Sequence, residues 1–396
     1  MVSYKLATQE QIDLATLATD IARKMLPPQR LEELEHADDG RGAYPMDVHM
    51  ALAEAGFSGM NIPEKWGGLG LDFTTQNVIV EELSKIDAGF AFAYYASGIW
   101  FPLIEKTEMP DEEKQMWADK IMQGAFGAFA MTEPNAGSDV VSMRTTAVYD
   151  ESTNEWVLNG TKCFISGISN ADFVSVAAWT DKTQRPSKGI TMFFVERERG
   201  YKVGKKENKM GLKLSETSEL ILEDVRVPAD HVIGGVGNGL TNCVGFVASE
   251  GRVTDAAGAL GLAQAALDTA VEYAKTRRQF GKRIIDQQGL GFLIADMQIR
   301  TDASRALLYS TTQMIDQGID PGHLTSSIKA FIAESAMQTC IDAVQVLGGY
   351  GYMKDYPVEK YMRDAKIFTI FGGTTQIVKK DVLSHLAGRD PERKTH

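Results

Sequence analysis

The sequence predicts an α+β multidomain protein with three parts. These are an N-terminal α-helical domain over residues 1–126, a central antiparallel β-barrel or sandwich over 127–240, and a C-terminal four-helix bundle over 241–396. Three observations carry that expectation. Apolar residues recur at helical spacing up to about Gly124, short β-rich runs divided by turn residues follow, and helical periodicity returns near Gly239.

In the first part, QEQIDLATLATDIARKML sets Leu14, Leu17, Ile21 and Met25 near one face, and Pro27-Pro28 ends the helix. PMDVHMALAEAGF and NVIVEELSKIDAGFAFAYYASGIW continue the pattern on either side of a glycine-rich loop, PEKWGGLGLD. In the second part, TTAVYDESTNEWVLNGTKCFIS reads as two strands joined by a polar turn, with a further turn at Asn159-Gly160. DFVSVAAWT, ITMFFVER and SELILEDVRVP add more strands, and their spacing suits a compact barrel or sandwich. The run GGVGNG, residues 234–239, reads as a flexible loop. In the third part, AAGALGLAQAALDTAVEYAKTRRQFG has small residues in its first half, suited to close helix packing. Basic residues gather at its C-terminal end, where the helix dipole favours cations. Further helices are expected at Leu290–Gly318, Ser326–Leu347 and Thr375–Leu386.

The net charge of −12 argues against nucleic acid or an anionic membrane surface as partner, while leaving room for local basic groups that hold an anionic ligand. Cys163, Cys243 and Cys340 are scattered, with no CxxC and no Cys/His cluster, so a reducing compartment and no metal site are expected. The N-terminal stretch is polar and amphipathic, and no apolar run reaches spanning length, so a cytoplasmic protein is expected.

Four stretches invite a chemical reading. AMTEPNAGSD, residues 130–139, places a turn of small residues after a strand, where backbone N–H groups and the hydroxyls of Thr132 and Ser138 can cradle a phosphate or a ring edge. QVLGGYGYMKDYPVEKYMRDAKIF, residues 345–368, has glycines that allow close backbone approach. It is not a GxGxxG opening a helix after a strand, and the α-β-α order also weakens a Rossmann reading. KTRRQFGKRI, residues 275–284, offers Arg277 to a phosphate and Phe280 to a ring. IFTIFGGTTQI, residues 367–377, sets two glycines where a reacting side chain might be sought. Each alone reads more simply as a turn or a solvated charge run.

In register, the four motifs are similar to those of the acyl-CoA dehydrogenase family of flavoproteins, over nearly the whole chain. The resemblance implies FAD held non-covalently, an acyl-CoA substrate, an electron-transferring flavoprotein as redox partner, and a homotetramer. It implies that Phe129, Met131, Thr132, Gly137, Ser138, Phe164 and Ser166 line the flavin from the β-domain. Phe164 departs from the family's common Trp. It assigns Arg277, Phe280, Gln288, Gln345, Gly348 and Gly349 to the diphosphate and adenine half, partly from a neighbouring subunit, and Thr374 and Gln376 to further FAD contacts. Arg252 matches an arginine that helps bind CoA, and Ser138 touches the same ligand. Tyr94 and Tyr95 are expected to shape the acyl pocket, with Gly251 and Gly373 also facing substrate.

The family's usual base, a glutamate before the GT of the last motif, is replaced by Gly372, whose N–H can still polarise the thioester. The alternative base position, before the CoA-site arginine, is Gly251. Two substitutes are therefore considered. Asp255 lies one turn after Gly251 on the same face, where most relatives carry an apolar residue. Glu250 is one residue early, rotated by roughly 100° unless the helix is bulged. Asp87 reads as structural. The resulting expectation is α,β-dehydrogenation of an unusual acyl-CoA, branched or cyclic. Alternatives are an enoyl-CoA reductase, a lyase such as a 3-sulfinopropionyl-CoA desulfinase, and a ligand-binding relic. The desulfinase and a glutaryl-type activity are weakened by the apolar stretch DAGFAFAYYASG, which offers no arginine for an acidic tail.

Overall fold

The structure, a computed structural model, describes residues 7–388; the start of the polar N-terminal stretch and the Cys243 side chain lie outside the described set. The N-terminal part comprises α1 (Gln9–Met25), α2 (Pro28–Gly40), α3 (Met46–Glu54), α4 (Phe73–Ser84), α5 (Ala88–Gly98), the single turn α6 (Phe101–Ile104) and α7 (Asp111–Met122). Thr8 opens α1 with a capping box: its hydroxyl accepts from Gln11 N, and the Gln11 side chain accepts from Thr8 N. The buried face of α1 is Ala15, Ala18, Thr19 and Ala22, while Leu17 is half exposed. Leu14, Ile21 and Met25 of the expected apolar face pack against the core beside this alanine stripe, where small side chains let α1 and α4 approach, and only Leu17 falls outside it.

The central sheet contains β1 (Gly127–Ala130), β2 (Thr146–Asp150), β3 (Glu155–Ser166), β4 (Phe173–Trp179), β5 (Ile190–Glu196), β6 (Lys202–Lys206) and β7 (Thr217–Pro228), with a short turn of helix, α8 (Pro186–Gly189), before β5. Strand order is β1-β4-β2-β3-β7-β6, with β5 also on β4. The β2/β3, β3/β7, β6/β7 and β4/β5 ladders are antiparallel as expected, but β1 runs parallel to β4. Parallel neighbours need a long crossover, and the chain between β1 and β4 supplies one that includes β2 and β3. The turn expected at Asn159-Gly160 is instead a bulge within a continuous β3. Gly160 is required there because a β-carbon would stand 2.7 Å from Thr145 Cβ. The 234–239 run is anchored at two points, Gly234 N donating to Lys106 O and Gly237 N to Thr191 Oγ1, each at 2.8 Å.

The C-terminal part contains α9 (Gly239–Phe246), a π-helical turn (Val247–Gly251), α10 (Arg252–Thr276), a small hairpin of β8 (Arg278–Gln279) and β9 (Lys282–Arg283), α11 (Gln288–Asp316), α12 (Leu324–Leu347), α13 (Val358–Ala365) and α14 (Thr375–Leu386). The small residues of α10 serve close packing: a β-carbon on Gly261 would stand 2.8 Å from Ser84 Cβ of α4. A buried network fastens the same junction, in which Arg305 of α11 donates to Glu81 of α4 at 2.7 Å. One apolar cluster runs through both helical parts and a second fills the sheet, so α5, α10, β1 and the chain entering α14 meet between them. Among the described residues, no helix is long and apolar enough to cross a membrane.

Candidate active site

The chain between α13 and α14 turns back at Gly372 and Gly373, both with left-handed backbone (φ 61° and 94°), before Thr374 caps α14 by accepting from Ile377 N. Two buried cations face this turn. Arg252, at the start of α10, donates through Nε to Gly372 O (3.3 Å) and through Nη1 to Ser326 Oγ (2.7 Å) and Asp381 Oδ2 (2.8 Å). Lys329, from α12, donates to the carbonyls of Phe368 (2.5 Å), Phe371 (2.6 Å) and Gly373 (3.0 Å).

Asp255, one turn into α10, points at the same glycine. A β-carbon on Gly372 would stand 3.2 Å from Asp255 Cγ and closer still to Oδ2, so the carboxyl group fills the space in which a side chain at 372 would begin. It is buried, yet among the described residues it has no ion pair within 4 Å and no hydrogen bond to a side chain. Burial pushes its pKa up to about 6 against the pull of Lys329 and Arg252. Glu250 sits in the π-helical turn. This is the bulge that sequence reasoning required before Glu250 could be considered, since a π turn re-aims the side chains that an α-helix would carry elsewhere. Burial raises its pKa too, opposed by Lys106. Tyr95 feels both carboxylates: burial and then their charges drive its pKa upward, which disfavours it as a base.

Tyr94 is placed differently. Its hydroxyl meets Ser58 Oγ at 3.2 Å and its ring packs on His49 and Phe90, inside the N-terminal core. Tyr94 therefore does not face the acyl pocket with Tyr95, because successive helix residues diverge by about 100°; Tyr95 instead lies near Glu250 and Asp255. Phe92, one turn of α5 from Tyr95, lies 4.7 Å from Phe371 between ring centroids and supplies an aromatic wall. Asp87 caps α5 by accepting from Phe90 N and pairs with Lys360 at 2.8 Å, the structural role expected of it.

The β-domain set is brought together by two ties. Cys163 N donates to Thr132 O at 2.9 Å, and the buried Lys162 ammonium reaches Met131 O (3.1 Å) and Glu133 (2.8 Å). They bind the turn after β1, with the exposed Gly137 and Ser138, to the end of β3, where Ser166 is half-buried. Phe164 is held at φ 59° in a second bulge of β3 and is 63 % exposed. A left-handed, exposed phenylalanine is costly for the fold alone. Phe129 is half-buried and stacks on Trp100, centroids 4.9 Å apart and planes 11° apart.

The remaining expected cofactor residues fall in two separate recesses. One of about 630 Å³ is lined by Arg277, Phe280, Gly348 and Gly349, with Gln287 rather than Gln288 on its wall; Gln288 and Gln345 are exposed beside it. The other, of about 330 Å³, includes Thr374 and Gln376. Neither includes Asp255 or Gly372. Phe280 stands at φ 56° in the β8–β9 turn and is 94 % exposed. Together the exposed rings, the Arg277 guanidinium and the open glycine backbones fit a cofactor with a flat heterocycle and a diphosphate. Glu113, Glu196 and His231 also converge, one ligand atom of each lying within 4.8 Å of the others, with Glu113 at 3.2 Å from His231 Nε2 and Glu196 at 3.6 Å from Nδ1.

Sequence reasoning missed Lys329, Phe92, Trp100 and Asp381. For Lys329 a signal existed: it lies on the face of α12 that otherwise buries Thr325, Ser326, Ile332 and Ala333, where a lysine needs a partner.

Comparison with known proteins accords with this geometry. Three family models match in order: acyl-CoA dehydrogenase N-terminal domain over residues 8–125, middle domain over 128–225 and C-terminal domain over 237–387. An acyl-CoA dehydrogenase of Bacillus subtilis is 38% identical over 385 residues, covering 96% of this chain and 99% of that one. A subunit of the caffeyl-CoA reductase–Etf complex of Acetobacterium woodii is 37% identical over 367 residues, covering 91% and 94%. The structure of butyryl-CoA dehydrogenase from Megasphaera elsdenii superposes with a TM-score of 0.90 at 36% identity, covering 96% and 99%. With its helix–sheet–helix order and all three family domains in register, the chain belongs to the acyl-CoA dehydrogenase family, FAD-dependent oxidoreductases acting on CH–CH groups.

Proposed function

We propose that this protein interconverts a saturated acyl-CoA and its 2-enoyl-CoA, with Asp255 carrying the α-proton. The observation that supports this reading most is the placement of the Asp255 carboxyl in the side-chain space at Gly372. In the oxidative direction the Cα–H bond breaks, its proton passes to the Asp255 carboxylate, and a hydride leaves Cβ. FAD, when bound, supplies the two-electron acceptor for that hydride. In the reductive direction the protonated Asp255 returns the proton to Cα. A pKa near 6 suits a group that must both take and give a proton near neutrality. Gly372 N–H and Gly373 N–H donate to no acceptor among the described residues, which leaves them for the thioester oxygen.

Phe92, Phe371 and Tyr95 favour an apolar or aromatic acyl group, and two carboxylates beside it disfavour an anionic tail. This argues against glutaryl- or sulfinopropionyl-type substrates. The caffeyl-CoA reductase–Etf relative supports the enoyl-CoA reductase direction, with an electron-transferring flavoprotein as partner. Separate recesses and a bare Phe280 support a homo-oligomer, a tetramer by family habit, in which one copy completes another's cofactor site. The test is anaerobic. Oxidised holoprotein is mixed with straight, branched, aryl and acidic acyl-CoA thioesters, and the dithionite-reduced form with the matching enoyl-CoA thioesters. Bleaching or recolouring of the flavin by apolar members supports the reading; no response to any member, in either direction, overturns it.

A further inference from the structure

The buried ammonium of Lys329 is the feature this chemistry leaves unexplained. Lys329 is wholly buried in α12, and its three N–H donors are all taken by main-chain carbonyls of one short segment, those of Phe368, Phe371 and Gly373. The carbonyl between them in sequence, Gly372 O, is taken by Arg252. Three consecutive carbonyls, at 371, 372 and 373, are thus turned toward cations behind the loop. With both glycines in left-handed backbone, the N–H groups of Gly372 and Gly373 are left without a protein acceptor among the described residues, an arrangement of adjacent donors that suits an anionic oxygen.

Lys329 and Asp255 also abut the same point: a β-carbon on Gly372 would stand 3.2 Å from Asp255 Cγ and 3.7 Å from Lys329 Cε. A lysine buried only to fill space would be better replaced by an apolar side chain, and a lysine buried to neutralise Asp255 would form an ion pair with it. Neither describes this one, which has no carboxylate within 4 Å among the described residues. We infer that Lys329 is a positioning residue for the thioester reaction: its ammonium holds the Phe371 carbonyl inward, so that the Gly372 N–H of the same peptide aims at the developing enolate oxygen, while Arg252 on the Gly372 carbonyl sets the Gly373 N–H in the same way. The inference rests on the functional reading above.

The groups facing Lys329 are Asp255 and Arg252 from α10, with Asp381 of α14 held beyond Arg252, and the Phe371 ring at 5.7 Å. Burial lowers the Lys329 pKa to about 8, with Asp255 opposing that shift and Arg252 adding to it. Loss of its proton would remove one of three carbonyl ties and the charge together.

The test uses holoprotein and carbonyl-¹³C-labelled crotonyl-CoA and cinnamoyl-CoA as probes. With wild type, the bound C=O stretch is expected below its free value, and to move back toward it as pH rises through about 8. In Lys329→Met the stretch should sit near its free value at every pH. Flavin turnover should fall by about 10²–10³, the usual effect of losing an oxyanion donor, while thioester affinity changes less than about fivefold. Lys329→Gln, which keeps two donors without the charge, should fall between. A wild-type stretch that does not move between pH 7 and 9 overturns the inference, even if the variants fail to fold. So does a folded, flavin-loaded Lys329→Met with unchanged stretch and rate. If wild type binds neither probe and turns over no thioester, the functional reading itself falls.

Discussion

The Asp255 carboxyl group occupies the space that a side chain on Gly372 would enter. Two positions 117 apart in the chain therefore compete for one volume, and the chain fills it from α10 rather than from the α14 approach.

Asp255→Asn should slow flavin reduction by a saturated acyl-CoA by about 10³ or more, roughly 4 kcal/mol of barrier, with FAD retained. Glu250→Gln should cost less than about tenfold. Stopped-flow measurement on both variants separates them, and the opposite ranking would move the proton-transfer role to the π-helical turn.

The pH profile follows from the ionisation state each direction needs. Oxidation requires ionised Asp255, so kcat/KM should rise with pH through about 6; reduction requires the protonated acid and should fall through the same region. Asp255→Asn should flatten both limbs.

Stability should run the other way. The folded-state pKa of Asp255 is raised from 3.8 to about 6, so its contribution is most favourable below pH 4 and is lost as pH rises through 6. Asp255→Asn, which mimics the protonated form, should raise stability at pH 8 by on the order of 2 kcal/mol and much less at pH 4. A thermal melt at the two pH values checks the sign.

Gly372→Glu alone should be nearly inactive, since it strains a left-handed residue by about 1 kcal/mol and collides with Asp255. Adding Asp255→Ala should recover activity relative to Gly372→Glu. Additive losses in this double-mutant cycle would sink the shared-volume argument.

Phe280→Ala should leave the monomer fold intact, because the ring is almost wholly exposed, yet lower both the flavin-to-protein ratio and the assembled mass. Light scattering and absorbance on one sample measure the two together.

Much of this was legible in one dimension. Helical periodicity marked α11, α12 and α14 to within a turn or so. The turn residues of AMTEPNAGSD and GGTTQI marked these stretches as loops, and their ligand roles and the reading of Gly372 and Gly251 as replaced bases came only from the family resemblance. Local patterns report such features because spacing and side-chain type act over a few residues. Periodicity placed Leu14, Ile21 and Met25 of α1 on the core side but not the alanine stripe, which is chosen by the helix packed on it, and the Asn159-Gly160 turn is a bulge because Thr145 lies against β3 there.

The sequence by itself determined the family, the helix–sheet–helix order and the vacancy at Gly372. Tertiary structure alone decided what fills that vacancy. The π-helical turn that re-aims Glu250, the divergence of Tyr94 from Tyr95, and the convergence of Asp255, Lys329 and Arg252 on one glycine all depend on how α5, α10, α12 and the 366–374 segment pack. Charge, burial and hydrogen-bond direction are properties of that packing, because each depends on atoms that lie far apart along the chain.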